Sequence, residues 1–238
     1  MIVRLLLLIL FVSSACAASK IKLVLTHIPK VMEYERHDAP YNKLVAHLVV
    51  RFPHAFEYEF MPSSRGNKLL NSRQIDCLFP IIPLQTRTVK TQLSAPVNGI
   101  SAYLFSLGPE TYRDLNELEG KMIVYLRGYL FGGLVERHPE LNFFAVTNQQ
   151  AALGMLEKQR AHAYLDYLPD IRFVFDEVQL SKLKYDTKFP VVRDSDRFEC
   201  IETRGNTQFL TQINREITEL RRTGQLQKIL GKYYVSVD

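Results

Sequence analysis

The sequence predicts an α/β protein with two lobes, each a mostly parallel β-sheet flanked by helices. Short apolar strand patterns alternate with amphipathic helix patterns, the order that places helices across a parallel sheet. The alternation occurs in two successive units, and the chain returns to helix after the second. At 238 residues and 47% apolar composition, the chain can bury a core in each lobe.

The first unit has the order strand, helix, strand, helix, strand. We predict these elements over residues 20–28, 40–52, 56–60, 63–74 and 75–79. The first helix places four apolar residues on one face: Leu44, Val45, Leu48 and Val49. The second strand alternates apolar and charged residues, which is typical of a half-buried strand. An extended stretch over residues 94–107 then leads away from this unit.

The second unit begins with a short helix and continues as strand, helix, strand, helix, strand. Its strands are predicted over residues 122–126, 141–147 and 161–168, with a helix over 148–160. A turn at Gly128 follows the first of these strands. The C-terminal part returns to helix, because Phe209, Ile213 and Ile217 recur at helical spacing before Gly224 ends that helix.

The N-terminus has the pattern of a secretory signal peptide. Arg4 precedes an apolar stretch over residues 5–12, which is too short to span a bilayer as a stable helix. Small residues follow, and cleavage is predicted after Ala17 or Ala18. In the competing interpretation Cys16 becomes a lipidated N-terminus, but Ser13 stands where such signals usually carry an aliphatic residue. We therefore favour simple cleavage and export to the periplasm.

After cleavage only Cys77 and Cys200 remain, in an oxidising compartment. They either form a disulfide or are two small buried apolar residues, and the sequence leaves both interpretations open. The net charge of +5 is scattered and forms no basic run, which argues against a nucleic-acid partner. We find no motif of a hydrolase, metalloprotease or nucleotide-binding loop and no metal-ligand spacing of histidines, so we predict no enzyme, metal or cofactor.

Several stretches follow one another in an order known from a protein family. They are "LLNSRQIDCLF", "QTR" followed by "LSAP", "LNELEGKMIVYLRGYLFGG", "MLEKQRAHAYLDYLPD" and "LRRTGQLQKILGKYY". In this order the chain resembles the family 3 extracellular solute-binding proteins, the amino-acid-type receptors of bacterial ABC importers. The resemblance implies a periplasmic-binding-protein-like type II clamshell that grips a small ligand between its lobes.

The resemblance also implies an organisation of domains and partners. After a signal peptide over residues 1–17, lobe one comprises residues 18–104 and 196–238, and lobe two residues 105–195. Expected partners are a small, carboxylate-bearing, amino-acid-like ligand and an inner-membrane ABC permease, and the protein is expected to be a monomer. The alternative is a stand-alone periplasmic sensor or partner-binding protein that has kept this fold without serving transport.

The resemblance assigns the anionic end of the ligand to two positions. Arg87 matches the family arginine that clamps a ligand carboxylate, and a planar guanidinium suits that bidentate contact. The alternative is a solvated arginine after a strand. Gly128 begins a turn into a helix, where free N–H groups and the helix dipole attract the same anion. An ordinary strand–helix turn explains this glycine equally well.

Asp166 is the candidate contact for a ligand ammonium group, because a carboxylate at the end of a strand binds a cation by charge-assisted hydrogen bonds. The match is one residue off the family spacing, so Tyr167 or Asp170 are alternatives. Aromatic rings are expected on the cleft walls. The further candidates are Tyr34, Tyr41, Tyr129, Phe131 and Arg65.

Two departures from the family pattern concern the ligand more than the fold. The segment "FPIIPL" stands where the family offers Ser and Thr hydroxyl groups before the clamp arginine, and "HIPKVMEYERHD" replaces a Pro-rich turn after the first strand. Both weaken the assignment of an α-amino acid as the ligand.

Overall fold

The computed structural model describes residues 20–84 and 87–237. The predicted signal peptide, including Cys16, lies outside the described residues. No helix in the described part is long and apolar enough to cross a membrane.

The chain has the predicted α/β order of elements. The first unit contains β1 (Ile21–Thr26), α1 (Pro40–Arg51), β2 (Phe56–Met61), α2 (Ser63–Asn71), β3 (Cys77–Ile81) and β4 (Thr91–Leu93). The second contains β5 (Asn98–Phe105), β6 (Met122–Leu126), α3 (Leu134–Arg137), β7 (Asn142–Val146), α4 (Gln149–Glu157), β8 (Ala163–Tyr167), α5 (Leu168–Val174), α6 (Glu177–Lys182) and β9 (Val192–Ile201). The C-terminal helices are α7 (Arg204–Arg222) and α8 (Gln225–Leu230). The short helix predicted at the start of the second unit is a 3₁₀ turn, Leu115–Leu118.

Each unit has its own mostly parallel sheet, and β9 joins the two. β1 pairs in parallel with β2 and β3, and β6 pairs in parallel with β7 and β8. The N-terminal half of β9 pairs with β5, while its C-terminal half pairs with β3 and β4. One hydrogen-bonded path therefore runs through the strands in the order β2-β1-β3-β9-β5-β8-β6-β7. The fold class is confirmed, and we refer below to the β1–β2–β3 side as the first lobe and to the β6–β7–β8 side as the second.

The C-terminal helices pack on the first lobe. Ile213 and Ile217 of α7 and Leu226 of α8 are fully buried in one cluster with Leu25 and Phe79 of the sheet. α7 begins after Thr203, whose hydroxyl accepts a hydrogen bond from an N–H of the first turn. Gly224, with φ of 70°, then redirects the chain into α8.

A disulfide joins Cys77 in β3 to Cys200 in β9. The two residues lie opposite each other in the antiparallel pair and are 123 positions apart in the sequence. The bond therefore fixes the C-terminal half of β9 beside β3 in the first lobe.

Candidate functional site

A cavity of about 250 Å³ lies between the two lobes. Its walls come from the carboxyl ends of strands in both sheets: Thr26 of β1, Ile81 of β3, Leu126 of β6 and Tyr167 of β8. Ligands bind at the carboxyl ends of strands in open α/β sheets, because helix starts and loops converge there. The cavity is therefore the candidate functional site.

Two buried carboxyl groups line this cavity. Asp170 lies in the first turn of α5 and is 2% exposed, and Asp196 lies in β9 and is 5% exposed. Among residues 20–84 and 87–237, no Lys, Arg or His forms an ion pair with either aspartate. A buried carboxylate without a counter-ion is costly, so this pair needs an explanation.

Tyrosine hydroxyl groups hold both carboxyl groups in place. Tyr129 donates to Asp170 Oδ2 over 2.8 Å, and Tyr233 donates to Asp170 Oδ1 over 2.9 Å. Tyr41 donates to Asp196 Oδ2. The rings of Tyr41 and Tyr233 meet edge to face, with centroids 5.1 Å apart, so the two carboxyl groups are linked through packed tyrosines.

Burial raises the pKa of both aspartates. The pKa of Asp196 rises to about 7 and that of Asp170 to about 6, because desolvation disfavours the charged form more than the tyrosine hydrogen bonds favour it. The nearby Asp170 raises the pKa of Asp196 further. Burial also raises the pKa of Tyr41, Tyr129 and Tyr233 well above the usual range, which keeps these hydroxyl groups protonated as donors.

Two residues of the cavity wall have a buried hydroxyl group without a partner in the described part of the chain. Thr26 Oγ1 and Tyr167 Oη are buried and form no hydrogen bond within the described part of the chain. Both residues line the cavity, one from each lobe, and they are 5% and 7% exposed. A buried polar atom without a partner costs about 1–3 kcal/mol, so these atoms are suited to a ligand.

The remaining lining is apolar inside and basic at the mouth. Ile28, Ile82 and Phe131 line the cavity with aliphatic and aromatic surface. His27 and Arg127 also line it, but both are exposed and therefore stand at its opening. In the described residues, no group of three or more His, Cys, Asp and Glu side chains is placed to hold a metal ion.

Some predicted site residues lie at this cavity. Gly128, Tyr129 and Phe131 line it, in the turn that follows β6. Gly128 has φ of 92°, which requires glycine even though a Cβ atom would meet nothing within 4 Å. Tyr167 and Asp170, the alternatives to Asp166, line the cavity as well.

Arg87 is not among the residues that line the cavity. Its side chain is only 7% exposed and forms an ion pair with Glu199, which is 2% exposed. Nε donates to Glu199 Oε1 over 2.8 Å, Nη2 donates to Oε2, and Thr91 donates to Oε1 over 2.7 Å. A carboxylate inside the protein thus takes the contact that we predicted for a ligand carboxylate. The clamp role of Arg87 remains a prediction that this position does not support.

Asp166, Tyr34 and Arg65 also lie outside the cavity lining. Asp166 is fully buried, and its carboxylate accepts hydrogen bonds from the hydroxyl of Tyr164 and, over 2.7 Å, from the N–H of Tyr167. Tyr34 is 71% exposed, and Arg65 is exposed on α2. None of these three residues therefore shares the cavity wall with Gly128 and Tyr129.

Sequence reasoning missed Asp196 and Tyr233, and placed Tyr41 without its partner. Asp196 lies in the strand segment "RDSDRFECI", shortly before the buried residues at the end of the strand. That charge inside a strand was the available signal. Tyr233 carried none, because a tyrosine after a C-terminal helix most often serves packing.

Comparisons with known proteins support the fold. No protein-family model matches the chain, and no curated protein matches it. Among solved structures, it is similar to the GluR0 ligand-binding core in complex with L-glutamate, at 17% identity and a TM-score of 0.72, over 92% of this chain and 100% of that one. It is also similar to a mutant of ArgBP from T. maritima, at 14% identity and a TM-score of 0.67, over 90% and 95% of the two chains.

A third similar structure is AbpA, an amino acid ABC transporter substrate-binding protein from Streptococcus pneumoniae, bound to L-arginine. It has 13% identity and a TM-score of 0.67, over 90% of this chain and 94% of that one. At these identities the likeness shows the two-lobed periplasmic-binding-protein-like fold.

Proposed function

We propose that the protein captures a small ligand with a positively charged amino group between its two lobes, without converting it chemically. The observation that carries the proposal is the pair Asp170 and Asp196, two buried carboxyl groups at a cavity, neither of which pairs with a Lys, Arg or His among residues 20–84 and 87–237. A ligand ammonium group supplies the missing charge and forms charge-assisted hydrogen bonds with them. Binding therefore removes a cost that the ligand-free protein carries.

The location of the cavity supports ligand capture by lobe closure. Asp170 belongs to the second lobe, whereas Tyr233 follows helices that pack on the first. Their hydrogen bond crosses the cleft, as does the 3.2 Å contact from Lys30 Nζ to the carbonyl oxygen of Val174. We propose the lobe boundaries given above, residues 18–104 plus 196–238 and residues 105–195, since the chain crosses along β5 and β9.

Amino acids belong to the proposed ligand class, and similar structures contain L-glutamate and L-arginine. The carboxylate half of such a ligand was assigned to Arg87, which pairs instead with Glu199. We therefore base the proposal on the ammonium group alone. As the biological role we propose delivery of the ligand by a periplasmic monomer to an ABC permease, with a stand-alone sensor as the alternative.

A thermal-shift and calorimetry screen of the exported form tests the proposal. The compounds are amines, amino acids, and carboxylates that lack an amino group. Compounds with an amino group should raise the Tm, and simple carboxylates should not. Asp170→Asn and Asp196→Asn should lose the shift, while Glu57→Gln, a change at an exposed acid of β2, should keep it. A carboxylate that binds equally well to wild type and to Asp196→Asn would contradict the proposal.

A further inference from the structure

The charge of the cavity narrows the ligand class further. We propose, on the basis of the proposed function, that the ligand is a small aliphatic dication, with one protonated nitrogen for each of Asp170 and Asp196 and no carboxylate.

The charge balance is the first step. Both carboxyl groups line the same cavity, and no described Lys, Arg or His pairs with either. A monocation neutralises one carboxylate and leaves the other either charged in a poorly solvated place or protonated. Two positive charges allow both to be ionised and paired, which is the arrangement that buried charges require.

The two carboxyl groups occupy separate positions. Asp170, in the first turn of α5, accepts hydrogen bonds from Tyr129 and Tyr233. Asp196, in β9, accepts one from Tyr41. Each group therefore has its own donors and its own element of the fold. Two nitrogens joined by a short chain match this arrangement better than one nitrogen does.

The unpartnered hydroxyl groups are an independent observation that points to a ligand with N–H donors. Thr26 and Tyr167 line the cavity from opposite lobes. Their hydroxyl oxygens, Oγ1 and Oη, are buried and form no hydrogen bond within residues 20–84 and 87–237. A primary ammonium group has three N–H donors that diverge tetrahedrally, so they do not all reach one carboxylate and need further acceptors nearby. A quaternary ammonium group has no N–H and would leave both hydroxyl groups without a partner.

Among the described residues that line the cavity, none offers a suitable place for a ligand carboxylate inside it. Arg87 already pairs with Glu199, and the basic side chains that line the cavity, His27 and Arg127, are exposed at its mouth. Deeper in, a carboxylate would meet two groups of its own sign, which is strongly unfavourable. The aliphatic wall, including Ile28 and Ile82, is suited to methylene groups.

The size of the cavity sets the length of the chain. Its volume of about 250 Å³ lies below the range of about 300–1,000 Å³ that is usual for drug-sized ligands. The dication is therefore short, with a few methylene groups between its nitrogens.

Calorimetry with three matched amines tests the inference on the exported form of the full chain. Putrescine has two ammonium groups, butylamine has one on a chain of the same length, and ornithine is putrescine with a carboxylate added. Putrescine should bind at least about tenfold more tightly than either of the others, a difference in binding free energy of about 1.4 kcal/mol. In Asp170→Asn and Asp196→Asn its advantage over butylamine should disappear, while Glu57→Gln should retain it.

The possible contrary results separate the inference from the proposed function. If ornithine binds as tightly as putrescine, the cavity accepts a ligand carboxylate and the inference is wrong. The proposed capture of an ammonium group then still stands. If butylamine matches putrescine, the second charge is not used and the inference is wrong. If none of the amines or amino acids binds to protein whose cooperative melting shows that it is folded, the proposed function fails, and the inference fails with it.

Discussion

Two acidic residues of one strand, Glu199 and Asp196, are treated differently by the protein. They lie three residues apart in β9, so their side chains face opposite sides of the sheet. Glu199 receives a bidentate guanidinium from Arg87 and a hydroxyl from Thr91, and its charge is balanced inside the chain. Within the described part of the chain, the side chain of Asp196 accepts a hydrogen bond only from the hydroxyl of Tyr41, and the residue lines the cavity. Glu199 thus has a structural partner, whereas the charge of Asp196 is the one that we propose a ligand balances.

This difference separates a structural charge from a binding charge by a criterion other than burial. Glu199 is 2% exposed and Asp196 is 5% exposed, so burial alone does not distinguish them. The presence of an internal counter-ion does. Removing Arg87 from its pair with Glu199 should therefore affect folding, while removing the carboxylate of Asp196 should affect binding.

The largest expected effect is on stability, when the ion pair between Arg87 and Glu199 is broken. Arg87→Ala should lower the free energy of unfolding by about 3–5 kcal/mol, because it leaves Glu199 buried without its counter-ion. Amine affinity of the folded fraction should be nearly unchanged. Denaturant titration and calorimetry measure the two quantities, with Arg65→Ala, at an exposed arginine, as the control. Unchanged stability together with lost affinity would restore Arg87 as the ligand clamp.

The next largest effect is on ligand binding, when the carboxylate of Asp196 is removed. Asp196→Asn should weaken putrescine binding by about 2–5 kcal/mol, since one partner of a desolvated charge pair is lost. The same change should stabilise the ligand-free protein at pH 8, because it removes a carboxylate that the fold disfavours. Calorimetry and thermal denaturation at pH 8 measure both effects. A variant that is destabilised at pH 8 and still binds would show that Asp196 is structural, like Glu199.

The prediction on Arg87 shows where sequence reasoning reached its limit. The fold was predictable because strand alternation, helix periodicity and turn glycines such as Gly128 are local signals. The partners of charged groups are not local. Arg87 and Glu199 are 112 residues apart. An arginine after an apolar strand looks the same in sequence whether its partner is a ligand or a distant glutamate.

The residues that line the cavity were predictable on the second-lobe side and not at the crossing strand. Gly128, Tyr129 and the alternative Asp170 lie in turns that follow strands, where cleft residues are expected. Asp196 contacts Tyr41 across 155 residues of sequence, and Asp170 contacts Tyr233 across 63. Such contacts require the lobes to be assembled, and neither residue type indicates its partner in advance.

A smaller effect should follow from pH. The pKa values of Asp170 and Asp196 rise to about 6 and about 7 in the folded protein, so lowering the pH from 8 to 6 protonates much of the pair. A cation binds the ionised pair, and putrescine affinity should fall by about tenfold or somewhat more over this range, as one pKa unit corresponds to about 1.4 kcal/mol. Calorimetry at several pH values measures the profile, and an affinity that stays constant from pH 8 to pH 6 would exclude ionised aspartates as the contacts.

The ligand-free protein should show the opposite pH dependence. A folded pKa above the ordinary value of 3.8 means that the folded state holds the proton more tightly than the unfolded state. The resulting stabilisation is present below about pH 4 and is lost as the pH rises through about 6 and 7. For this pair, then, stability decreases with rising pH while affinity increases. In Asp196→Asn the slope of stability against pH should be shallower, and thermal denaturation from pH 5 to pH 8 measures it.

The smallest expected effect is on a tyrosine that donates a hydrogen bond to Asp170. Tyr233→Phe keeps the ring, which packs against Tyr41 and Phe173, and removes only the hydroxyl that donates to Asp170 over 2.9 Å. Losing one hydrogen bond to the ionised form should raise the pKa of Asp170 and weaken putrescine binding by about 1 kcal/mol. The loss of affinity should be larger at pH 6 than at pH 8, because a higher pKa leaves less of Asp170 ionised at pH 6. Calorimetry at both pH values measures this difference, and an equal loss at both would mean that Tyr233 acts only through packing.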